Sequence, residues 1–333
     1  MKDFMKHYDV IVVGTGGASK LVSPVARLGY EVAVVEHGPF GGTCLNRGCI
    51  PSKMLIHAAD VARNIRDAHR FGIDVETDFG VRFDELIKRV NDTVTADAEG
   101  IEAALKRAER ITVYTQTAEF VEPKVLKVGN ELITADRIFL GAGARPSRPS
   151  IEGLDGTPYW TSTEALKATF LPKRLIVIGG GYIAAELGHF FGALGSEVHL
   201  LVRRAMLSTE DRDTAAEFQR AFAAQHHVHL GLSPTKVKYV DGQFTITAKD
   251  QTGATSEFVG DALLVATGLQ PNSDLLHVER AGIEMDRKGF ITVDDHLRTT
   301  APGVWALGDI TGHYLFRHAV NFEGNYLFRT LYA

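Results

Sequence analysis

Twice in this chain an apolar strand runs into a glycine-rich turn, and a second apolar strand follows about one helix later. This duplication predicts an α/β fold with two Rossmann-like dinucleotide-binding domains. The first copy is Tyr8–Val13, then Gly14-Thr15-Gly16-Gly17-Ala18-Ser19, then Glu31–Val35. The second is Arg174–Ile178, then Gly179-Gly180-Gly181-Tyr182-Ile183-Ala184-Ala185-Glu186, then Glu197–Val202. At 333 residues, with 45% hydrophobic and 23% charged side chains, the chain has enough apolar material for two or three cores.

In the first copy the glycines permit a tight turn and let backbone approach a pyrophosphate resting on the following helix N-terminus. The second strand ends at Glu36, a carboxylate suited to accept hydrogen bonds from ribose hydroxyls. Ser19 stands at the third glycine position, adding a small side chain where helix and strand pack. The second copy ends differently, in Val202-Arg203-Arg204. With no carboxylate to repel a 2′-phosphate and two guanidiniums able to bind one, this site is expected to favour NADPH over NADH. The competing reading is that both arginines simply face solvent.

Between the two copies lies Gly41-Gly42-Thr43-Cys44-Leu45-Asn46-Arg47-Gly48-Cys49-Ile50-Pro51-Ser52-Lys53, which holds both cysteines of the chain. A structural bridge is typical of small secreted domains, and residues 1–9 carry no apolar leader segment, so no secretory signal is expected. Half a zinc site would need a second cluster of ligands, and no second cysteine pair exists. A dithiol beside a dinucleotide site points instead to sulfur redox chemistry in a reducing cytoplasm. One nucleotide site can hold FAD permanently and the other take a nicotinamide transiently, the flavin accepting a hydride and passing electrons to the disulfide.

The remaining elements follow from periodicity and turn residues. Amphipathic helices are expected at roughly 52–71 and 84–109, and short strands from Thr112 to Phe139 with a turn at Gly129-Asn130. Strands are also expected at Phe290–Val293 and Val304–Leu307. Lys+Arg number 36 against 41 Asp+Glu, a net charge of −5 that argues against nucleic acid or an anionic membrane as partner. No apolar run is long enough to span a bilayer. His226, His227 and His229 have no acidic or cysteine neighbour in sequence and read as a solvated turn, so no metal site is expected; His57 and His313 receive no catalytic role.

Several motifs in this order resemble the pyridine nucleotide–disulfide oxidoreductases, the family of glutathione reductase, dihydrolipoamide dehydrogenase, mycothione reductase and mercuric reductase. The motifs are Gly42-Thr43-Cys44-x4-Cys49-x-Pro51-x-Lys53, Gly141-Ala142-Gly143-Ala144-Arg145-Pro146 with Ile151-Glu152-Gly153, Gly181-Tyr182-Ile183-Ala184-x-Glu186, Ala266-Thr267-Gly268-x-x-Pro271-Asn272 and Ala306-Leu307-Gly308-Asp309. The resemblance covers nearly the whole chain. It implies a glutathione reductase-like arrangement: residues 1–150 as the first part of an FAD domain, 151–270 as an inserted NAD(P)H domain, and 271–333 as the second part of the FAD domain.

The resemblance also implies roles. Cys49 corresponds to the thiol next to the flavin and Cys44 to the outer thiol that attacks the disulfide substrate. Lys53 corresponds to the lysine near the reactive flavin nitrogen, and Glu186 to its ion-pair partner. FAD would be held by Gly14, Gly16, Glu36, Gly42, Thr43, Lys53, Ala118, Gly143, Asp309 and His318. NADPH would be held by Gly179, Gly181, Tyr182, Ile183, Glu186, Arg203, Arg204 and Gly268, with Tyr182 as a lid over the flavin. The family continues into a dimerisation domain bearing a His-Glu acid–base pair, whereas this sequence ends at Ala333. The expectation is an intact reductive half-reaction, turnover of large disulfides weakened by about 10²–10⁴-fold, and doubtful homodimerisation. Any dimer would use apolar surface at Phe322, Tyr326, Leu327 and Phe328. A small disulfide substrate of the mycothione reductase type is the leading expectation. The alternatives are an NADPH oxidase or diaphorase, or activity like dihydrolipoamide dehydrogenase or mercuric reductase.

Overall fold

A computed structural model describes residues 5–333; the reading of the first residues as lacking a leader lies partly outside them. The chain forms two compact units. One gathers the described residues up to Asn46 with Val94–Arg145 and Leu269–Ala333, the other Arg47–Thr93 and Pro146–Gly268.

The chain opens with β1 (Met5–Val13), α1 (Ser19–Arg27) and β2 (Val32–Val35). Three helices follow, α2 (Gly42–Arg47), α3 (Cys49–Asp67) and α4 (Phe83–Arg107). Then come β3 (Ile111–Tyr114), β4 (Ala118–Glu122), β5 (Val125–Val128), β6 (Glu131–Leu140) and β7 (Ala144–Pro146). The middle of the chain holds α5 (Ser162–Ala165), β8 (Arg174–Ile178), α6 (Tyr182–Leu194), β9 (Glu197–Val202), α7 (Arg212–Ala223) and β10 (His227–Leu230). After β11 (Ser233–Val240), β12 (Gln243–Lys249), β13 (Thr255–Gly260) and β14 (Ala262–Val265), the last part contributes β15 (Leu269–Pro271), α8 (Ser273–Leu276), β16 (Val304–Ala306) and α9 (Arg317–Tyr332).

In the first unit β3, β2, β1 and β6 run parallel in that spatial order, β16 adds to the end of β6, and β6-β5-β4 form an antiparallel meander. The apolar run of β1 serves both faces of this sheet. Val10 and Val12 join one buried cluster with Val32, Val34 and α1, while Ile11 and Val13 join the opposite one with Ala33 and Val35. Each such fully buried aliphatic side chain contributes about 1.5–3 kcal/mol.

The second unit repeats the plan. Strands β10, β9, β8 and β14 are parallel in that order, and β11-β12-β13 form a separate antiparallel sheet. Leu175 and Val177 face α3 and α6, meeting Leu55, Ala59, Phe190 and Phe191. Ile176 and Ile178 face the β11–β13 sheet, meeting Val237, Phe244 and Ile246. Three parallel strands taken in the order second, first, later (β2-β1-β6 and β9-β8-β14) thus form the centre of each unit's main sheet. Among the described residues no helix is long and apolar enough to cross a membrane.

Three sequence expectations change here. Phe290–Val293 forms no strand: Asp286 accepts the amides of Lys288 and Phe290 in a turn, leaving only an isolated bridge between Met285 and Ile291. His227 and His229 lie within β10 rather than in a turn. The C-terminal apolar residues are not one exposed patch, because Leu327 is buried against the first core while Phe322 is 73% exposed. A helical repeat places these two residues on different faces of α9.

Candidate functional site

The first glycine turn is held by backbone geometry no other residue supplies. Gly14 has φ +95°, and a Cβ there would lie 2.3 Å from the carbonyl oxygen of Gly141, just beyond β6. Its amide donates to Val35 O at 2.8 Å, and the Gly141 amide donates to Val13 O at 2.8 Å, so the turn is tied to both neighbouring strands. No side chain caps α1 and its first turn carries no acid. Its first amides turn back onto the carbonyls of Gly16, Gly17 and Ala18, so what favours an anion here is the positive end of the helix dipole with no acid beside it.

Thr15, a variable position in the glycine pattern, turns out to organise this end of the sheet. It is 2% exposed. Its amide and hydroxyl both donate to Glu36 Oε2, at 2.9 and 2.8 Å, and its hydroxyl accepts from the Gly41 amide at 2.9 Å. Glu36 Oε1 accepts from the Gly38 amide at 3.0 Å. Gly42 follows with φ +70°, and a Cβ there would lie 2.5 Å from the Gly16 Cα. The turn after β1 and the loop after β2 therefore converge on one hydroxyl and one carboxylate. Ser19 donates its hydroxyl to Gly16 O at 2.7 Å, and the close-packing role expected of a third glycine falls to Gly17, where a Cβ would strike Val320 of α9 at 2.1 Å.

Gly42 opens α2, which carries exposed Thr43 and half-buried Cys44. Buried Asn46 sends its amide nitrogen to the carbonyls of Pro39, Phe40 and Gly42 at 3.1, 2.8 and 3.0 Å, fixing the loop before the helix. Elsewhere in this unit Ala118 starts β4 and Gly143, at φ +68°, precedes β7. Asn272 clamps that segment, donating to Ala142 O at 2.7 Å, while Arg145 reaches both carboxylate oxygens of Asp274 at 2.9 and 2.6 Å. Asp309 sits in a short 3₁₀ turn, where burial, and then the charge of Glu323, raises its carboxyl above the ordinary value. Glu323 itself accepts the Gly308 amide at 2.7 Å. His318, near the start of α9, is exposed.

In the second unit Cys49 is exposed and opens α3, three residues earlier than the sequence indicated. Pro51 fits in that first turn because its missing N–H would have had no helical partner. No acid lies in the first turn, so the helix dipole favours a thiolate there. One turn on, Lys53 donates to Glu186 Oε1 of α6.

The second glycine turn reproduces the first. Gly179 has φ +137°, a Cβ there would lie 2.2 Å from Ala266 O, and its amide donates to Leu201 O at 3.1 Å. Gly181 is the N-cap of α6, again with no side-chain cap and no acid in the first turn. Tyr182 is 41% exposed, and a hydrogen bond to Glu210 pushes its phenol up from the ordinary value. Ile183 is half-buried beside it. Arg203 and Arg204 are both exposed just past β9, and among the described residues neither forms an ion pair. Gly268, at φ +118°, accepts the Ser147 amide through its carbonyl at 2.9 Å.

The sequence pattern of the pyridine nucleotide-disulphide oxidoreductases matches residues 8–324, almost the full chain. The protein belongs to this family. Within it, the chain is similar to mycothione reductase of Mycobacterium tuberculosis, 36% identical over 329 residues that make up 96% of this chain and 70% of that protein. Dihydrolipoyl dehydrogenase of Thermus scotoductus is 35% identical over 326 residues with the same coverage of each. Mercuric reductase of Acidithiobacillus ferrooxidans is 36% identical over 313 residues, 91% of this chain and 56% of that one. The HOCl-induced flavoprotein disulfide reductase RclA from Escherichia coli, solved as its Cu(II) complex, superposes with a TM-score of 0.88 at 31% identity, over 99% of this chain and 72% of that one. The α/β fold of the family, with its parallel sheets, is the fold of this chain. As an oxidoreductase of this family, it belongs with flavoproteins acting on sulfur groups.

Proposed function

We propose that this chain passes electrons from NADPH through FAD to a Cys44–Cys49 disulfide and on to a small disulfide substrate, in the manner of mycothione reductase. The observation carrying this reading is the duplicated, uncapped glycine turn whose following strand ends in an acid in one unit and in two unpaired arginines in the other. FAD, when bound, would accept a hydride from the nicotinamide and deliver two electrons to sulfur.

The first unit fits the flavin nucleotide. Gly14 and Gly16 put no side chain in the way of a pyrophosphate, which would meet the positive end of the α1 dipole. Glu36 spends three of its roughly four lone-pair positions on Thr15 and Gly38, leaving one, on Oε1, for a ribose hydroxyl. Gly42, Thr43, Ala118, Gly143, Asp309 and His318 are the further contacts, with Asp309 able to meet a hydroxyl-rich chain as donor or acceptor. The second unit fits the nicotinamide nucleotide: Gly179, Gly181, Ile183 and Gly268 form the turn and its surroundings, and Arg203 and Arg204 pair with a 2′-phosphate. Tyr182 acts as the lid.

Cys49 opens a helix whose first turn carries no acid, and Lys53, anchored by Glu186, supplies positive charge one turn away. Cys44 acts as the attacking thiolate on substrate. One hydride from NADPH and one proton balance the two thiols released from each disulfide. A cytoplasmic setting suits this chemistry.

Anaerobic titration of the flavin-loaded protein with NADPH and then NADH tests the reading. The expected result is a long-wavelength thiolate–flavin band after two electrons, reached at lower NADPH than NADH. Bleaching without that band, unchanged in Cys44→Ser, would reject the disulfide as electron acceptor.

A further inference from the structure

Four side chains at the opposite end of β9 from the second glycine turn meet where β9 and β10 begin. The two strands are parallel with His227 opposite His199, so strand alternation puts Glu197, His199, His227 and His229 on one face. His199 Nε2 lies 2.9 Å from Glu197 Oε1, and His227 Nε2 lies 3.8 Å from the same oxygen. The His199 and His227 rings stack with centroids 4.4 Å apart. Behind them, His199 Nδ1 is 3.1 Å from His229 Nε2, whose ring packs edge-on against Phe258 at 4.7 Å. Arg174 holds the other Glu197 oxygen at 2.8 Å from Nε and 2.7 Å from Nη2, which orients the carboxylate and leaves Oε1 directed at the imidazoles.

We propose that Glu197 Oε1, His199 Nε2 and His227 Nε2 bind one divalent transition-metal ion of the Zn²⁺ class, with His229 positioning His199 from behind. The three atoms already lie within 4.8 Å of one another. Metal–ligand bonds of about 2.0–2.2 Å bring such atoms to roughly 3.3 Å apart, a change small rotations of exposed side chains supply. Two imidazoles and one carboxylate suit a borderline cation better than Ca²⁺ or Mg²⁺, which demand mostly oxygen. His229, accepting the Nδ1–H of His199, would fix the tautomer that turns the Nε2 lone pair toward the ion. Glu197 and His227 are exposed, which gives an entry path and leaves a fourth position for water.

This site is separate from the nucleotide turns. Ligands of such sheets bind at the carboxyl ends of strands, whereas Glu197 is the first residue of β9 and Arg203 follows its last. Six steps of about 3.3 Å separate Glu197 from Arg203 by roughly 20 Å along the strand direction. β10 is the edge strand, so a bound ion joins the edge of the sheet to its interior neighbour.

The test is calorimetric titration of the tag-free full-length protein with Zn²⁺, repeated with Co²⁺ for its d–d spectrum. A Cys44→Ser/Cys49→Ser background removes thiolate binding. The expected result is one equivalent bound, with nitrogen- and oxygen-type Co²⁺ bands and a higher melting temperature. His227→Gln, at an exposed position, should abolish this equivalent with an unchanged metal-free melting temperature, and His229→Phe should weaken it about 10–100-fold. His226→Gln should leave binding intact, since that ring packs on Phe222 instead. Absence of binding in the cysteine-free protein, or full affinity in His227→Gln, would overturn the proposal.

Discussion

Replacing Gly14 and Gly179 by alanine, one at a time, separates the two nucleotide sites. At Gly14 the added Cβ would stand 2.3 Å from Gly141 O, and ordinary contact begins at 3.4 Å, so the turn must open by 1.1 Å. The residue also keeps φ at +95°. A left-handed non-glycine conformation costs about 1–2 kcal/mol, and overpacking a close contact costs about 1–3 kcal/mol more. The sum is about 2–5 kcal/mol. For a unit of this size a loss near 3 kcal/mol lowers the melting temperature by about 6–12 °C. Because the displaced turn is the one proposed to cradle the pyrophosphate, Gly14→Ala should purify with little flavin and still bind NADP⁺. Gly179→Ala meets Ala266 O at 2.2 Å and should do the reverse, retaining flavin and losing NADP⁺. The assays are flavin absorbance per protein, NADP⁺ calorimetry and thermal melts. Stoichiometric flavin in Gly14→Ala with an unshifted melt would refute both the geometric argument and the flavin assignment.

Three further perturbations bear on the same chemistry. Asp309 has its carboxyl raised by burial and by Glu323, so the fold favours its protonated form; its stability contribution is present at low pH and is lost as pH rises through the raised value. Asp309→Asn should therefore raise the melting temperature of flavin-free protein at neutral pH, the gain vanishing below the ordinary value of 3.8, while flavin affinity falls; equal melts at neutral pH would contradict this. Glu186→Gln breaks an exposed ion pair worth about 0.2–1 kcal/mol, so stability should barely change, yet NADPH-driven flavin reduction should slow by about tenfold in stopped flow. Arg203→Ala with Arg204→Ala removes charge-assisted contacts worth about 1.5–3 kcal/mol and should cut the NADPH:NADH ratio of kcat/KM roughly 10- to 150-fold, an unchanged ratio counting against 2′-phosphate binding.

The duplicated turn was legible because glycine geometry is local: Gly14 and Gly179 announce themselves by their neighbours in sequence, and both meet the expected strand end. Glu36 and Arg203 were readable for the same reason, each following its strand directly. Thr15, Asn46 and Glu323 were not, because their value lies in partners supplied by folding. Thr15 occupies a position any small residue can fill, and only the approach of Gly41 makes its hydroxyl a hub. The histidines mark the limit most clearly. His227 is 28 residues from His199, and no spacing rule predicts that parallel pairing of β9 and β10 sets them opposite one another. The false strand at Phe290–Val293 has the opposite cause, a β-rich apolar run captured locally by the Asp286 side chain.

The same contacts bear on how the two proposed nucleotide sites would hold their ligands. In the first unit the turn is locked from three directions: by Thr15 and Glu36, by Gly42 against Gly16, and by Val320 of α9 against Gly17. Opening it means breaking several part-buried hydrogen bonds together, each worth about 0.5–1.5 kcal/mol and worth more where one partner is charged. The second turn differs: Gly179 has φ +137° where Gly14 has +95°, and its ties are backbone ones, the Gly179 amide to Leu201 O at 3.1 Å and the Leu207 amide to Gly180 O at 2.7 Å. A Cβ at Gly180 would lie 2.7 Å from the Val202 side chain, and Tyr182, Arg203 and Arg204 beyond it are exposed. On the proposed assignment, a nucleotide in the first turn would have its surroundings fixed by part-buried contacts, whereas one in the second would be held by exposed side chains. On the same assignment, this difference in packing suits a resident flavin in the first turn and an exchanging nicotinamide nucleotide in the second.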